Sequence, residues 1–169
     1  FVPPKVMTNH DLSQFMDTND EWIQERTGIK ERRYVENGVS TSDIAIPAVE
    51  MAMEQAAVTK QDIGLIIFAT STPDYYAPGS GCLLQEKMDF PTIGALDIRV
   101  QCSGFVYGLS VAQQYIENNI FEHVLVVGAE VQSTAMDLST RGRDTAVIFG
   151  DGSGAAVVSA SQDDSGILY

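Results

Sequence analysis

Two segments constrain the fold more than any others: Leu65-Ile66-Ile67-Phe68-Ala69-Thr70 and His123-Val124-Leu125-Val126-Val127-Gly128-Ala129. Each is a continuous apolar run without an alternating polar face, the pattern of a strand covered on both sides. A sheet holding such strands needs helices on both faces, and helical patterns lie between them. Residues 41–57 set Ile44, Ala48, Met51, Ala52 and Gln55 into apolar and polar faces, with Pro47 predicting a kink or a later start. Residues 79–88 predict another helix. The strongest covers 104–118, where Phe105, Leu109, Ala112 and Ile116 are spaced four, three and four apart. Short helices are expected over 9–15 and 19–26, opened by Thr8 or Asn9 and by Thr18 or Asn19, with Gly28 breaking the second. Strands are expected over 29–35 (closed by Asn37-Gly38), 93–100, 146–149 and 155–160, the last two bracketing a glycine-rich turn. This alternation predicts an α/β protein with a mainly parallel sheet.

The 169 residues, 44% of them apolar and 20% charged, suit one core: one domain, or one half of a larger two-part fold. No run of eighteen apolar residues predicts a membrane-spanning helix. The opening FVPPKVMTN shows no signal-peptide pattern and no initiator methionine, so the sequence is expected to begin inside a longer chain. A formal net charge of −13 argues against nucleic acid and anionic membrane surfaces as partners. Against that background Arg26, Lys30, Arg32 and Arg33 fall close together. They form either one solvated strand face or a local anion site suited to phosphate groups. Cys82 and Cys102 make neither a CxxC nor a disulfide framework, which predicts a reducing, cytoplasmic setting.

Chemistry concentrates in Asp97-Ile98-Arg99-Val100-Gln101-Cys102-Ser103-Gly104-Phe105. A cysteine there follows a strand and opens an amphipathic helix, where unpaired amides and the helix dipole favour a thiolate and could hold an oxyanion. Gly104 would leave room for a substrate beside the backbone. The alternative is a structural cysteine, since free cysteines are commonly buried. Cys82, inside a helix between Gly81 and Leu83, is expected to serve packing only. A thiolate needs a basic or cationic partner, and neither His10 nor His123 has a spacing that suggests pairing. Gly150-Asp151-Gly152-Ser153-Gly154 is not read as a nucleotide loop, because Ala-Ala-Val-Val follows where a helix or a Gly-Lys-Ser/Thr would be required. No His, Cys and carboxylate cluster has metal-ligand spacing, and no cofactor is expected.

Three motifs, in order, carry a resemblance: Asn19-Asp20-Glu21-Trp22-Ile23 with Arg26-Thr27-Gly28-Ile29; the segment from Asp97 to Leu109; and Ile148-Phe149-Gly150-Asp151-Gly152-Ser153-Gly154-Ala155. From Val2 onward the sequence resembles the N-terminal half of the 3-oxoacyl-[acyl-carrier-protein] synthase III family, condensing enzymes of fatty-acid synthesis. The resemblance implies a thiolase-like fold of five α-β-α-β-α layers. Residues 1–169 would supply one incomplete half of it, lacking its first strand and the C-terminal half. It further implies a homodimer formed largely through this half. It implies decarboxylative condensation of an acyl-CoA primer with malonyl-acyl carrier protein through an acyl group on Cys102. Trp22, Arg26 and Thr27 match residues at the coenzyme A mouth of the tunnel, and Arg143, with Arg141 as the alternative, matches an arginine packed on the adenine. Phe149 matches a residue lining the acyl tunnel. The sequence departs from many relatives at Ala77, where an aromatic residue before the proline limits the acyl pocket, and at Arg99-Val100-Gln101, where small residues are common. A roomier pocket and a primer longer than acetyl follow, unless Tyr75 or Tyr76 fills the space. The family's catalytic histidine and asparagine belong to the other half, so this chain alone is expected to be inactive in condensation. Two alternatives remain: a related condensing enzyme or acyltransferase with another acceptor, and a non-catalytic dimerising half-domain.

Overall fold

The computed structural model describes residues 1–161 and 166–167. The chain opens with strand β1 (Lys5–Thr8), helices α1 (Asn9–Leu12) and α2 (Asp20–Thr27), and strand β2 (Glu31–Tyr34). Next come α3 (Thr41–Ala56), β3 (Leu65–Ala69), α4 (Ser80–Lys87), β4 (Gly94–Ile98) and α5 (Gly104–Glu117). Strand β5 (His123–Val131), the short helix α6 (Arg143–Ala146) and strand β6 (Asp151–Ser159) complete it. The main sheet has the order β4-β3-β5-β6. Strand β3 lies parallel to both β4 and β5, while β6 runs antiparallel to β5, from His123 opposite Ser159 to Val131 opposite Asp151. Strands β1 and β2 form a separate antiparallel pair.

The unbroken apolar runs have the expected cause. All five residues of β3 are buried. Ile66 and Phe68 join Leu125 and Val127 in a core with α3 and α4 on one face, while Leu65 and Ile67 join Val124 and Val126 beneath α5 on the other. Period-two alternation thus feeds two cores from one strand, and each fully buried aliphatic or aromatic side chain contributes about 1.5–3 kcal/mol. Helix α3 runs through Pro47 from Thr41, so the later start does not occur. Its Met51, expected on the apolar face, is exposed, and Ile44, Ala45, Ala48, Val49, Ala52 and Met53 form the buried stripe instead.

One expected strand is absent. Residues 146–149 close α6 and continue as a loop, and β6 starts at Asp151, directly within the glycine-rich segment. Gly152 and Gly154 are strand residues opposite Glu130 and Gly128, not a turn. The reason is Asp151. Its buried carboxylate accepts hydrogen bonds from Val35 N–H (2.7 Å), Ser133 N–H (2.8 Å) and Ser133 Oγ (2.5 Å), tying β6 to the chain segments after β2 and β5. Strand β1, which the sequence reading missed, pairs Lys5 with Tyr34 through Thr8 with Glu31.

Within the basic cluster, Arg32 fits neither of the two readings. Arg32 is only 6% exposed and donates to Met7 O (3.2 Å), Asn9 Oδ1 (2.8 Å) and Val147 O (3.1 Å). It cross-links β1, β2 and the segment after α6, and burial lowers its pKa from the ordinary arginine value. Arg33 pairs with Glu31 at the surface.

On the other side, Lys87 donates to Asp43 Oδ1 and to Ser42 Oγ (2.7 Å), with Asp74 Oδ1 at 4.0 Å. Asp74 accepts from Ser42 Oγ (2.7 Å) and Ser80 Oγ (2.6 Å), which anchors the loop after β3 to α3 and α4. Burial works to raise the Asp74 pKa, but hydrogen bonds from Ser40, Ser80 and Ser42 outweigh it and the value is lowered.

Two outcomes follow from these buried carboxylates. Asp151→Ala leaves two backbone amides and a hydroxyl without their acceptor and should destabilise the full-length protein by about 2–3 kcal/mol in urea unfolding. Asp74 ionises at lower pH when folded than the free carboxyl does, at about 3.9. Its contribution is therefore complete above that value and disappears as pH falls through the lowered folded value. Melting temperature measured from pH 5 to pH 2 should fall more steeply for the wild type than for Asp74→Asn.

Candidate active site

Strand β4 ends at Ile98 and α5 begins at Gly104; a single 3₁₀ turn, Gln101–Ser103, joins them. Gln101 sits at φ 49°, in the left-handed region that a side-chain-bearing residue adopts at a cost. That residue reverses the chain and presents Cys102, which is exposed, just ahead of the helix. The burial that the structural-cysteine alternative expects is not found within this chain. Cys82 is half-buried within α4, in keeping with a packing role.

Gly104 does something other than admit a substrate. It is buried, and a Cβ there would lie 3.0 Å from Ala69 Cβ, so the glycine lets the start of α5 press on the end of β3. Gly108 repeats the device one turn later, where a Cβ would meet Val126 at 2.8 Å.

Cys102 lines a cleft of about 260 Å³ at the carboxyl ends of β3 and β5, with Ala69, Ser71, Phe105, Gly128, Glu130, Gln132 and Phe149 among its walls. Cys102 and Phe149, expected to share an acyl site, do come together. Ala77 does not join them: it lies exposed on the loop between β3 and α4, outside this cleft. The neighbouring Tyr75 and Tyr76 are also exposed and line a different cleft of this chain. Glu130 was missed. Its carboxylate accepts from Ser71 N–H (2.7 Å), Ser71 Oγ (2.9 Å), Thr72 Oγ1 (2.7 Å) and Gln132 Nε2 (3.3 Å). A charged residue interrupting the apolar run of β5 was the available signal.

A second cleft, of about 490 Å³, is lined by Trp22, Arg26, Thr27, Arg143, Asp144, Val147 and Ile148. The Trp22 ring carries two guanidinium groups at stacking distance, Arg26 at 4.3 Å and Arg143 at 4.5 Å from its centroid. Arg26 arrives there by helical spacing, one turn after Trp22 on α2, whose N-cap is Asn19. Arg143 is held by a bond from Nη1 to Asp17 O (2.9 Å). Arg141 is not a partner of the ring: it pairs with Asp137 at 2.8 Å and is 89% exposed. Hydrogen bonding to Ser139, and then to Arg141, lowers the Asp137 carboxyl to about 2. Thr27 Oγ1 donates to Ile23 O (2.8 Å) and accepts from Ile29 N–H (3.0 Å), closing α2. The two clefts share one wall. Val147 and Ile148 face the Trp22 side, and Phe149 and Gly150 face Cys102.

Neither histidine approaches Cys102 as a partner. His123 lies at the start of β5 with Nδ1 2.6 Å from Ser159 Oγ, and His10 is exposed on α1. No trio of His, Cys, Asp or Glu side chains among the described residues could hold a metal, and no helix among them is long and apolar enough to cross a membrane.

A three-layer α/β domain with an exposed cysteine between a parallel strand and a glycine-seated helix is thiolase-like. The family profile described as 3-Oxoacyl-[acyl-carrier-protein (ACP)] synthase III matches residues 96–169. Beta-ketoacyl-[acyl-carrier-protein] synthase III of Aliarcobacter butzleri is 45% identical over 166 residues, which are 98% of this chain and 49% of that protein. The crystal structure of 3-oxoacyl-[acyl-carrier-protein] synthase III from Aquifex aeolicus VF5 superposes with a TM-score of 0.92 at 42% identity, covering 96% of this chain and 52% of that one. The priming beta-ketosynthase from the R1128 polyketide biosynthetic pathway gives 0.91 at 31% identity, over 96% and 48%. The chain belongs to the 3-oxoacyl-[acyl-carrier-protein] synthase III family, and it spans about half the length of the curated relatives it matches.

The left-handed turn gives a direct check on the site. Gln101→Gly should fold as well as the wild type, whereas Gln101→Val, β-branched at φ 49°, should cost about 1–2 kcal/mol in urea unfolding. The same valine variant should slow alkylation of Cys102 by iodoacetamide.

Proposed function

We propose that the full-length protein to which this chain belongs is a condensing enzyme of fatty-acid synthesis, in which Cys102 carries the acyl group. The single observation that supports this most is the exposed position of Cys102 on its turn ahead of α5, facing a cleft walled by Phe149 and Phe105. The Cys102 sulfur attacks the thioester carbonyl of an acyl-CoA primer. A sulfur–carbon bond forms, the bond to coenzyme A breaks, and the coenzyme sulfur leaves and takes a proton. Malonyl-acyl carrier protein then loses CO₂, its carbanion attacks the acyl carbonyl, and Cys102 departs as thiolate. Such a sequence needs no metal or cofactor, only acyl-CoA and malonyl-carrier protein as substrates.

Trp22, Arg26, Thr27 and Arg143 form the proposed coenzyme mouth. Two guanidiniums on one indole suit an adenine and its phosphates, and the shared wall of residues 147–150 leads from that mouth to Cys102. With both arginines already at stacking distance from Trp22, a base inserted between the ring and Arg143 must displace that guanidinium. Phe149 would line the acyl tunnel. Ala77, outside the Cys102 cleft of its own chain, fits a role across a homodimer, where its small side chain would admit a primer longer than acetyl.

A five-layer whole fold and a cytoplasmic setting complete the reading.

The test is mass spectrometry of the full-length protein after exposure to acyl-CoA. An acyl increment should appear on the wild type and be absent from Cys102→Ala; no increment on the wild type would defeat the proposal. Trp22→Ala should weaken coenzyme A binding by roughly 5- to 150-fold, the equivalent of about 1–3 kcal/mol for one stacking contact. The 169-residue chain alone should not turn over malonyl-carrier protein.

A further inference from the structure

The Cys102 cleft is not uniformly apolar. Ala69, Phe105 and Phe149 line it together with Ser71, Glu130 and Gln132, and these three polar side chains form one hydrogen-bonded unit. Its polarity is set by Glu130. An ionised carboxylate only accepts, so every neighbour must turn a donor toward it. Ser71 gives its N–H (2.7 Å) and hydroxyl (2.9 Å), Thr72 its hydroxyl (2.7 Å) and Gln132 its Nε2 (3.3 Å). Gln132 Nε2 also reaches Ser71 Oγ at 3.4 Å. The amide of Gln132 is thereby oriented: its nitrogen is committed to Glu130 and Ser71, and its carbonyl Oε1 meets no donor among the described residues.

We propose that this oriented acceptor makes Gln132 a specificity-determining residue that selects an acyl group bearing a hydroxyl. The proposal rests on Cys102 as the acylated residue. A plain alkyl chain laid against Gln132 removes water from Oε1 and supplies nothing in return, whereas a hydroxyl on the chain donates to it. Glu130 acts as the positioning residue, since it keeps the Gln132 carbonyl from being exchanged for its NH₂.

The step is the acyl transfer already described: Cys102 Sγ bonds to the acyl carbon, the coenzyme sulfur leaves and takes a proton, and no oxidant or reductant takes part. The experiment follows acylation of Cys102 by intact-mass spectrometry in the full-length protein, comparing hexanoyl-CoA with 2-hydroxyhexanoyl-CoA and 3-hydroxyhexanoyl-CoA. At least one hydroxyacyl group should load about tenfold faster than hexanoyl. Gln132→Met, of similar size but without the acceptor, should abolish that ratio. If hexanoyl labels the wild type as fast as either hydroxyacyl group, or if Gln132→Met leaves the ratio intact, the assignment of Gln132 is overturned while Cys102 stands as the acylated residue. If no thioester labels Cys102 at all, the proposed function falls and this inference with it.

Discussion

The contact on which the site depends is the seating of α5 on the sheet. A helix and a strand approach this closely only where side chains are missing, and they are missing at three facing positions. Gly104 meets Ala69, Gly108 meets Val126, and Gly128 on β5 receives the Phe105 ring, where a Cβ would come within 3.2 Å. These contacts hold the start of α5 against the ends of two parallel strands, the place where open α/β sheets bind their ligands. Cys102 is carried there by its position in the chain, two residues before the helix. The left-handed Gln101 then turns it outward. Exposure of the sulfur and burial of Gly104, two residues on, are thus two results of one packing arrangement.

That arrangement is partly legible in the sequence. The continuous runs of β3 and β5 and the four-three-four spacing of α5 announce a covered sheet, because burial on two faces leaves no room for a polar face. The helix caps narrow to two residues each, since a side-chain oxygen before a helix has one strong use, and the fold selects Thr8 and Asn19. The errors fall where a long-range partner overrides local pattern. Residues 146–149 have strand-like composition, yet Ala146 and Val147 are drawn into the small core with Met7, Leu12, Ile23 and Tyr34. Arg32 reads as a surface charge until Met7, Asn9 and Val147 surround it. Asp151 reads as part of a turn until the amides of residues 35 and 133 converge on it. Glu130 depends in the same way on Ser71 and Thr72, nearly sixty residues earlier in the chain. None of these partners is implied by spacing, so only the folded chain discloses them.

The misread segment is also what relates the two halves of the site. Residues 147–150 leave α6, which carries Arg143, and enter β6 through Asp151. On the way they give two side chains to the Trp22 cleft and two residues to the Cys102 cleft. A strand could have done this only by alternating faces against a fixed ladder partner. A short loop pinned at both ends has no such partner to satisfy. Arg32 holds one end by its bond to Val147 O, and Asp151 holds the other by its three donors. A chemistry in which a coenzyme binds at one cleft and its acyl group reaches a sulfur in the other needs the distance between them fixed. Two buried charged side chains anchoring four residues fix it more firmly than propensity could. The buried arginine and aspartate, which look costly beside an apolar core, are therefore explained by where they sit in the chain, flanking the wall between the two clefts.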